Sequence, residues 1–278
     1  KASGLAAGKG VIIAQNLDEA IKAVEDIMVD EKFGNAGNQV VIEEFLDGVE
    51  ASILSFTDSK VIVPLLSAKD HKKIGEDETG LNTGGMGVIS PNPFVTDEIF
   101  EKFKSDIMEP TLKGMQSEGM DFAGVIFFGL MITKKGVYLL EYNMRMGDPE
   151  TQAVLPLLEN DLLELIEKSF DKKLSEVKVN WKPLHSCCVV AAAGGYPESY
   201  RKGDEIAGVL DFKETADNKV FICGAKVEDG KLLTNGGRVL NAVALGNTLE
   251  EAQKKAYELL KTINFEGMYF RKDIGGRF

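Results

Sequence analysis

The sequence is poor in the residues that most readily announce a chemistry. Its 278 residues include 3 Cys, 2 His, 1 Trp and 8 Pro. Cys187 and Cys188 are adjacent inside an apolar run and Cys223 stands apart, so the set has neither zinc-site spacing nor the even count of a disulfide framework. A reducing, cytoplasmic setting is the expectation. His71 and His185 make a Ser-His-Asp or Cys-His nucleophile a poor reading: His185 heads an apolar strand and reads as structural, whereas His71 lies in a polar segment with its role open. No apolar stretch approaches the roughly 18 residues that a membrane helix needs, and the first residues carry no charged-then-apolar leader. Positive charge is scarce too. With 32 Lys and Arg against 44 Asp and Glu the formal net charge is -12, and no run of basic residues offers the electrostatic footprint of phosphate-backbone binding, which excludes nucleic acid as a partner. A nucleotide is not excluded by the same count, because a bound cation and local amide dipoles offset the repulsion.

What is present is an ordinary globular composition, 44% hydrophobic and 27% charged, with enough apolar residues for one large domain or two smaller ones. A glycine-rich loop, Gly4-Leu5-Ala6-Ala7-Gly8-Lys9-Gly10, runs into a short apolar strand over 11–14. Asn16 is placed to cap a helix whose Leu17, Ile21, Val24 and Met28 recur along one face. Strands are expected over 39–45, 51–56 and 60–66, the first two joined through Asp47-Gly48 as a hairpin. The polar, glycine-dense stretch 69–93 is too long for a simple connection and reads as a functional loop. Thr96 caps a helix with Ile99, Phe103, Ile107 and Met115 on one stripe, and strands over 122–132 and 137–142 flank a tight turn. Beyond a helix with Asp161 and Glu164 at capping-box spacing, 171–182 reads as a linker. After it come strands near 185–193, 219–225 and 238–244 and a helix opened by Thr248 and Glu251, a small α+β domain.

Three groups of residues can carry chemistry. The first loop can bring backbone amides close to phosphate oxygens with Lys1 and Lys9 to neutralise charge, but it is no Walker A loop: Gly4 to Gly8 is one residue short and Gly10 stands where a magnesium-binding Ser or Thr belongs. Glu141 and Asn143, two apart at the end of an expected strand, leave the same face and offer the hard oxygens that magnesium takes, although a solvated strand face reads equally well from the pattern alone. Arg145, Asp148 and Glu150 follow at once; the guanidinium suits a phosphate or carboxylate and the acids suit an amine or ribose hydroxyls, against the plainer reading of a salt-bridged loop. The Asn82-Thr83-Gly84-Gly85-Met86-Gly87 run can present amides to an anion or simply turn the chain.

Taken in order, these pieces resemble the ATP-grasp superfamily and, within it, the phosphoribosylamine–glycine ligase (glycinamide ribonucleotide synthetase) family. The resemblance rests on Lys1-Ala2-Ser3-Gly4 through Val11, Val41-Ile42-Glu43-Glu44-Phe45-Leu46-Asp47-Gly48, Asp70-His71-Lys72 and Asn82 through Gly87. It continues in Gly147-Asp148-Pro149-Glu150-Thr151-Gln152, Ala192-Ala193-Gly194-Gly195-Tyr196-Pro197, Thr234-Asn235-Gly236-Gly237-Arg238-Val239 and Arg271-Lys272-Asp273-Ile274-Gly275, and so spans nearly the whole chain. Ser3 stands where Asp is expected and Met146 where Phe is usual. The family's N-terminal substrate-binding domain and the start of its lid are missing before Lys1, so the chain is expected to be truncated and to need that segment, while its end looks like a stand-alone terminus.

The resemblance implies an α+β ATP-grasp fold, two antiparallel-sheet subdomains clamping ATP, followed by a small C-terminal α+β domain. The expected division is a partial lid and nucleotide-binding hairpin over 1–62, a catalytic core over 63–180 and the C-terminal domain over 181–278. It further implies ATP and Mg2+ or Mn2+ as cofactors, with Lys1, Gly4, Gly8, Lys9 and Gly10 at the phosphates, Glu43, Glu44, Phe45 and Leu46 at the adenine, Glu50 at the ribose, and Glu141 and Asn143 at the metal. Substrate contacts fall to Asp70, Lys72, Asn82, Thr83, Gly84, Gly85, Met86, Arg145, Asp148 and Glu150, with Arg145 and Asp148 in catalytic roles. The implied reaction joins glycine to 5-phosphoribosylamine through glycyl phosphate in purine synthesis. Two other readings stay open: another carboxylate–amine ligase of purine metabolism, using formate or bicarbonate, or an ATP-binding module without catalysis.

Overall fold

The computed structural model describes residues 1–6 and 10–276, which divide into two compact units, Lys1–Asp47 and Gly48–Phe278. In the first unit helix α1 (Leu17–Met28) starts as expected: Asn16 Oδ1 accepts from Glu19 N at 2.9 Å, and Glu19 Oε2 accepts from Gln15 N at 2.8 Å. Its buried residue is Ile27, however, and Leu17, Ile21 and Met28 are exposed. Periodicity marks amphipathy, not which face is covered. The two strands expected here do not form. Residues 11–14 have no ladder partner, and of 39–45 only Val40 bridges, to Ala2, flanked by Lys1 N donating to Val41 O at 2.7 Å and Val41 N to Lys1 O at 2.8 Å.

The second unit holds an eight-stranded antiparallel sheet. Its elements in chain order are β1 (Val49–Thr57), β2 (Ile62–Asp70), β3 (Lys73–Gly75), β4 (Thr79–Asn82), β5 (Gly87–Ser90), α2 (Asp97–Phe103), α3 (Glu109–Ser117), β6 (Gly124–Thr133) and β7 (Gly136–Asn143). They continue with α4 (Glu150–Val154), α5 (Leu162–Phe170), β8 (His185–Ala192), β9 (Asn218–Ile222), β10 (Ala225–Glu228), β11 (Lys231–Thr234), β12 (Arg238–Gly246) and α6 (Leu249–Leu260). The sheet order is β7-β6-β1-β2-β5-β8-β12-β9. The hairpin near the start is therefore β1–β2, not one across Asp47-Gly48. Buried Asp58 fixes its turn, with Oδ1 accepting from Lys60 N and Val61 N, each at 2.9 Å, and Oδ2 from Leu174 N at 3.0 Å. Because β1 and β2 share a ladder, the compact division falls between Asp47 and Gly48 and not at residue 62. Likewise β5 pairs with β8, so one sheet runs on across position 180.

The stretch 69–93 is not a loop but β-structure, comprising the end of β2, the β3–β4 hairpin and β5. Its polarity is explained by Arg271, almost fully buried behind it. The guanidinium donates to Lys73 O at 3.1 Å, to Glu78 Oε1 at 2.9 Å and to both oxygens of Asp273 at 2.8 and 2.7 Å, and Asp273 Oδ2 accepts from Asp77 N at 2.9 Å. The stretch 171–182 packs as well, through buried Leu174 and a Leu158–Trp181 bridge. The helix caps come out where their spacing puts them: Thr96 Oγ1 accepts from Ile99 N, Asp161 Oδ1 from Leu163 N and Thr248 Oγ1 from Glu251 N. Glu251 completes its box on Asn247 N, one residue before the cap.

Three apolar clusters hold the second unit. Phe103 and Ile107, on α2 and the π-turn Lys104–Met108, pack with Met115 of α3 on Ile53, Ile126 and Phe128, and the Phe103 and Phe128 rings meet edge-on with centroids 5.1 Å apart. A second cluster fills the opposite side around Leu54, Phe127, Val154 and Leu165, and a third joins α6 to β8 and β12. Phe103→Ala removes a fully buried ring and is expected to cost about 3–5 kcal/mol, read from the urea unfolding midpoint.

Between β2 and β5, buried His71 places Nδ1 3.0 Å from Gly87 O. Burial pushes its pKa down from 6.5 to about 4, with Lys69 and Arg271 acting in the same sense and the Gly87 carbonyl opposing. Below 6.5 the unfolded chain takes up a proton that folded His71 refuses, so stability is full above 6.5 and is lost as pH falls toward about 4. Urea titrations at about pH 7 and about pH 4.5 should show the wild type losing about 2–3 kcal/mol more than His71→Gln, which keeps a polar donor without the titration. Equal losses would contradict this.

Candidate active site

β7 ends in the two oxygen-bearing side chains singled out by spacing. Glu141 stands opposite Gly129 of β6, where a Cβ would come within 3.1 Å of Glu141 Cγ, so the glycine makes room for it. Glu141 and Asn143 share a face: Asn143 Nδ2 donates to Glu141 Oε1 at 3.2 Å. Arg145 extends the chain, with Nη2 donating to Asn143 Oδ1 at 3.3 Å and Nη1 to Met146 O at 3.0 Å. Among the described residues no group of three or more His, Cys, Asp or Glu converges on a metal position. A cation at Glu141 and Asn143 would therefore need the rest of its shell from outside the protein, as magnesium takes phosphate oxygens and water.

Asp70, at the end of β2, and Glu150, opening α4, form the acidic floor. Glu150 is 4% exposed and its Oε1 accepts from Ser52 Oγ at 3.3 Å, while Asp70 Oδ1 is shut off from solvent with no hydrogen-bond partner. Burial raises the pKa of Asp70 well above the ordinary carboxylate value, and the Glu150 charge adds to it; burial raises that of Glu150 too, opposed by Lys72, Ser52 and Arg238. Beside them Lys72 Nζ pairs with Glu50 Oε2 at 2.9 Å. Burial pulls the Lys72 pKa down, but Glu50, Asp70 and Glu141 outweigh it and hold the ammonium charged far above the ordinary lysine range. The acids Glu50, Asp70, Glu141, Asp148 and Glu150 outnumber the cations Lys72, Arg145 and Arg238, so the site has room for added positive charge.

The run 82–87 folds back over this floor. Thr83 Oγ1 donates to Lys72 O at 2.8 Å and accepts from Gly85 N at 2.9 Å, and Met86 N donates to His71 O. Gly85 has φ +117° and lies so close to Asp70 that a Cβ would stand 2.6 Å from Asp70 Oδ1 and 2.7 Å from Pro149 Cδ. Asn82 is exposed in β4, opposite Lys73. Met86 is fully buried, with its N–H spent on His71 O and its carbonyl accepting from Val190 N at 3.1 Å, so neither its thioether nor its backbone polar groups face a ligand, contrary to the substrate contact expected of it. Asp148 sits on the far side, its Oδ1 accepting from Gln152 Nε2 at 2.9 Å and its Oδ2 from Arg238 Nη2 at 3.2 Å.

In the first unit Lys1 Nζ pairs with Glu43 Oε2 at 3.0 Å. Ala2 N donates to Gly10 O at 3.0 Å, and Gly4 packs where a Cβ would stand 2.5 Å from Ala36 Cα. Glu44 and Phe45 are exposed and Leu46 is half-buried. Gly8 and Lys9 lie outside the described residues. Sequence reasoning gave no role to Arg238, Tyr196, Ser52 or Gln152. Gln152 lies four residues from Asp148 on a helical start and was legible as an i,i+4 pair, but Arg238 reaches Asp148 across 90 positions and only the sheet brings them together.

Comparison with known proteins bears on all of this. Residues 1–151 match the phosphoribosylglycinamide synthetase ATP-grasp (A) domain and residues 186–277 the C domain of the same synthetase. The chain is 59% identical over 276 residues to a phosphoribosylamine–glycine ligase of Fusobacterium nucleatum and 56% identical over 275 residues to one of Clostridium acetobutylicum, covering 99% of this chain in each case. It spans 65% of the length of these relatives. A crystal structure of phosphoribosylamine–glycine ligase from Thermotoga maritima superposes with a TM-score of 0.89 at 35% identity, covering 99% of this chain and 68% of that one. The biotin carboxylase domain of Hydrogenobacter thermophilus 2-oxoglutarate carboxylase, in complex with MgADP and bicarbonate, has a TM-score of 0.70 at 13% identity over 97% of this chain and 57% of that one, a likeness of fold alone. The expected α+β ATP-grasp fold with an appended C-terminal domain holds, and the chain belongs to the phosphoribosylglycinamide synthetase family.

Proposed function

We propose that the full-length protein uses ATP and a divalent cation, Mg2+ or Mn2+, to join glycine to 5-phosphoribosylamine through glycyl phosphate, releasing glycinamide ribonucleotide, ADP and phosphate in the cytoplasm. The observation that carries the reading is the hydrogen-bonded chain Glu141–Asn143–Arg145 beside the acidic floor of Asp70 and Glu150. The names of the relatives support it. The length those relatives have beyond this match is proposed to include the N-terminal segment that completes the amine pocket.

Phosphoryl transfer asks a protein mainly for positioning and for charge set in advance against the transition state. Glu141 and Asn143 fit the cation as paired hard oxygens, and when bound it draws charge off the terminal phosphate. Arg145 is exposed and, among the described residues, hydrogen-bonded to Asn143 Oδ1 and Met146 O, so its guanidinium can turn toward an acyl phosphate and a tetrahedral intermediate without stranding a buried partner. Asp148, held by Gln152 and Arg238, orients the substrates. Asp70 and Glu150 offer carboxyls whose raised pKa suits them to receive ammonium groups, and to accept the proton that the amine loses as the amide forms. Lys72 keeps Glu50 fixed, leaving its second oxygen for a ribose hydroxyl. From the first unit, Lys1, Gly4, Gly8, Lys9 and Gly10 serve the phosphates, and the 43–46 segment Glu43, Glu44, Phe45 and Leu46 serves the nucleotide, with the backbone of Glu44 and Leu46 at the adenine.

ADP release by the full-length protein should require glycine, 5-phosphoribosylamine and magnesium together; equal release with formate or bicarbonate in place of glycine would overturn the reading. Arg145→Ala should lower kcat by about 10²–10³ with ATP affinity little changed. An unchanged kcat would remove Arg145 from the chemistry.

A further inference from the structure

The first side chain of β12 is spent on two loops that belong to other parts of the chain. Arg238 Nη1 donates to Gly84 O at 2.8 Å and to Asp148 O at 2.7 Å, with Gly85 O at 3.5 Å, while Nη2 donates to Asp148 Oδ2 at 3.2 Å. The fit is close enough to dictate a neighbour: a Cβ at Gly84 would stand 2.8 Å from Arg238 Cζ. The N–H of Gly84 is held from the same side, donating to the Tyr196 hydroxyl at 3.0 Å, and the Tyr196 ring packs on Gly237, where a Cβ would meet Cδ2 at 2.2 Å. Both backbone polar groups of Gly84 are thus fixed by side chains, those of Tyr196 in the turn after β8 and Arg238 at the start of β12, not by a strand ladder.

We propose that Arg238 is a positioning residue that fastens the 83–86 loop to Asp148 and so presets the face that receives the amine substrate, an inference that rests on the ligase reading above. A planar fork of donors suits the purpose. It serves acceptors from two loops at once, whereas the single nitrogen of lysine cannot span Gly84 O and both oxygens of Asp148. Stability is not the reason for the contact. Gly84 and Asp148 are exposed, so water can take over their acceptors when the guanidinium is removed; what is lost is a fixed separation between the loop and the carboxylate. A shift of about 1 Å at a positioned group is enough to cost on the order of a hundredfold in rate.

The test compares Arg238→Ala and Arg238→Lys in the full-length protein. Expected are a roughly hundredfold fall in kcat/KM for the amine substrate, a KM for ATP close to that of the wild type, and an unfolding midpoint that barely moves. Faster hydrogen exchange should appear at the Gly84 and Gly85 amides, and added methylguanidine should restore part of the rate to Arg238→Ala but not to Arg238→Lys. A loss of rate that tracks loss of folded protein, or unaltered exchange at Gly84 and Gly85 in Arg238→Ala, would overturn the proposal. If the wild type releases no glycine-dependent ADP, the ligase reading fails, and the exchange result still decides whether Arg238 holds the loop.

Discussion

Two carboxyl groups, Asp70 and Glu150, taken out of water side by side, set the terms for everything around them. Each loses hydration and each faces the other's charge, so ionising both is costly unless cations stand close. Lys72 is the nearest remedy, and its own burial is tolerable only because Glu50, Asp70 and Glu141 hold it charged. Arg238 adds a second positive charge from the far end of the sheet, and Ser52 a hydrogen bond. The balance stays short of positive charge, and Asp70 Oδ1 keeps an unspent acceptor. A folded protein that leaves such a group unsatisfied forgoes stability there, which is the usual mark of a place built for something else.

The sheet makes the arrangement possible. β5 and β8 join β2, which ends in Asp70 two residues before Lys72, to β12, which carries Arg238, so residues far apart in the chain come to face one floor. Glycines set how closely they approach: Gly84 yields to the guanidinium, Gly85 to Asp70 and Pro149, and Gly129 to Glu141. A methyl group at Gly84 or Gly85 would have to displace charged atoms or proline carbon, so close packing around side chains is by itself a reason for glycine at these two positions.

Local rules were legible wherever the cause was local. Asn16, Thr96, Asp161 and Thr248 cap the helices their spacing announced, and Glu141 and Asn143 share a face because strand geometry requires it. The misreadings share one origin. Residues 11–14 and 39–45 have strand-like composition but join no strand ladder beyond the single Val40–Ala2 bridge, and the segment 69–93 looked like a loop because its polar residues answer to Arg271, some two hundred positions away. The burial of Glu150 beside the shut-off Oδ1 of Asp70, the insertion of Met86 into the core and the reach of Arg238 are likewise tertiary facts with no signature in spacing. The family resemblance supplied what spacing could not, since it joined motifs that are unremarkable one by one.

The two arginines on this face make the division of labour plain. Arg145 is exposed and bound to neighbours within two residues of itself, and both of those contacts are easily exchanged for water or for a ligand. Arg238 is four-fifths covered and bound to oxygens 90 to 154 positions away, so moving it would release both the 83–86 loop and Asp148. The same guanidinium chemistry therefore serves opposite ends: a group meant to follow a charge that moves during reaction has to be held loosely, and one meant to keep the surroundings still has to be held by many partners at once. Exchanging the two environments would leave the composition of the site unchanged and remove its ability to act.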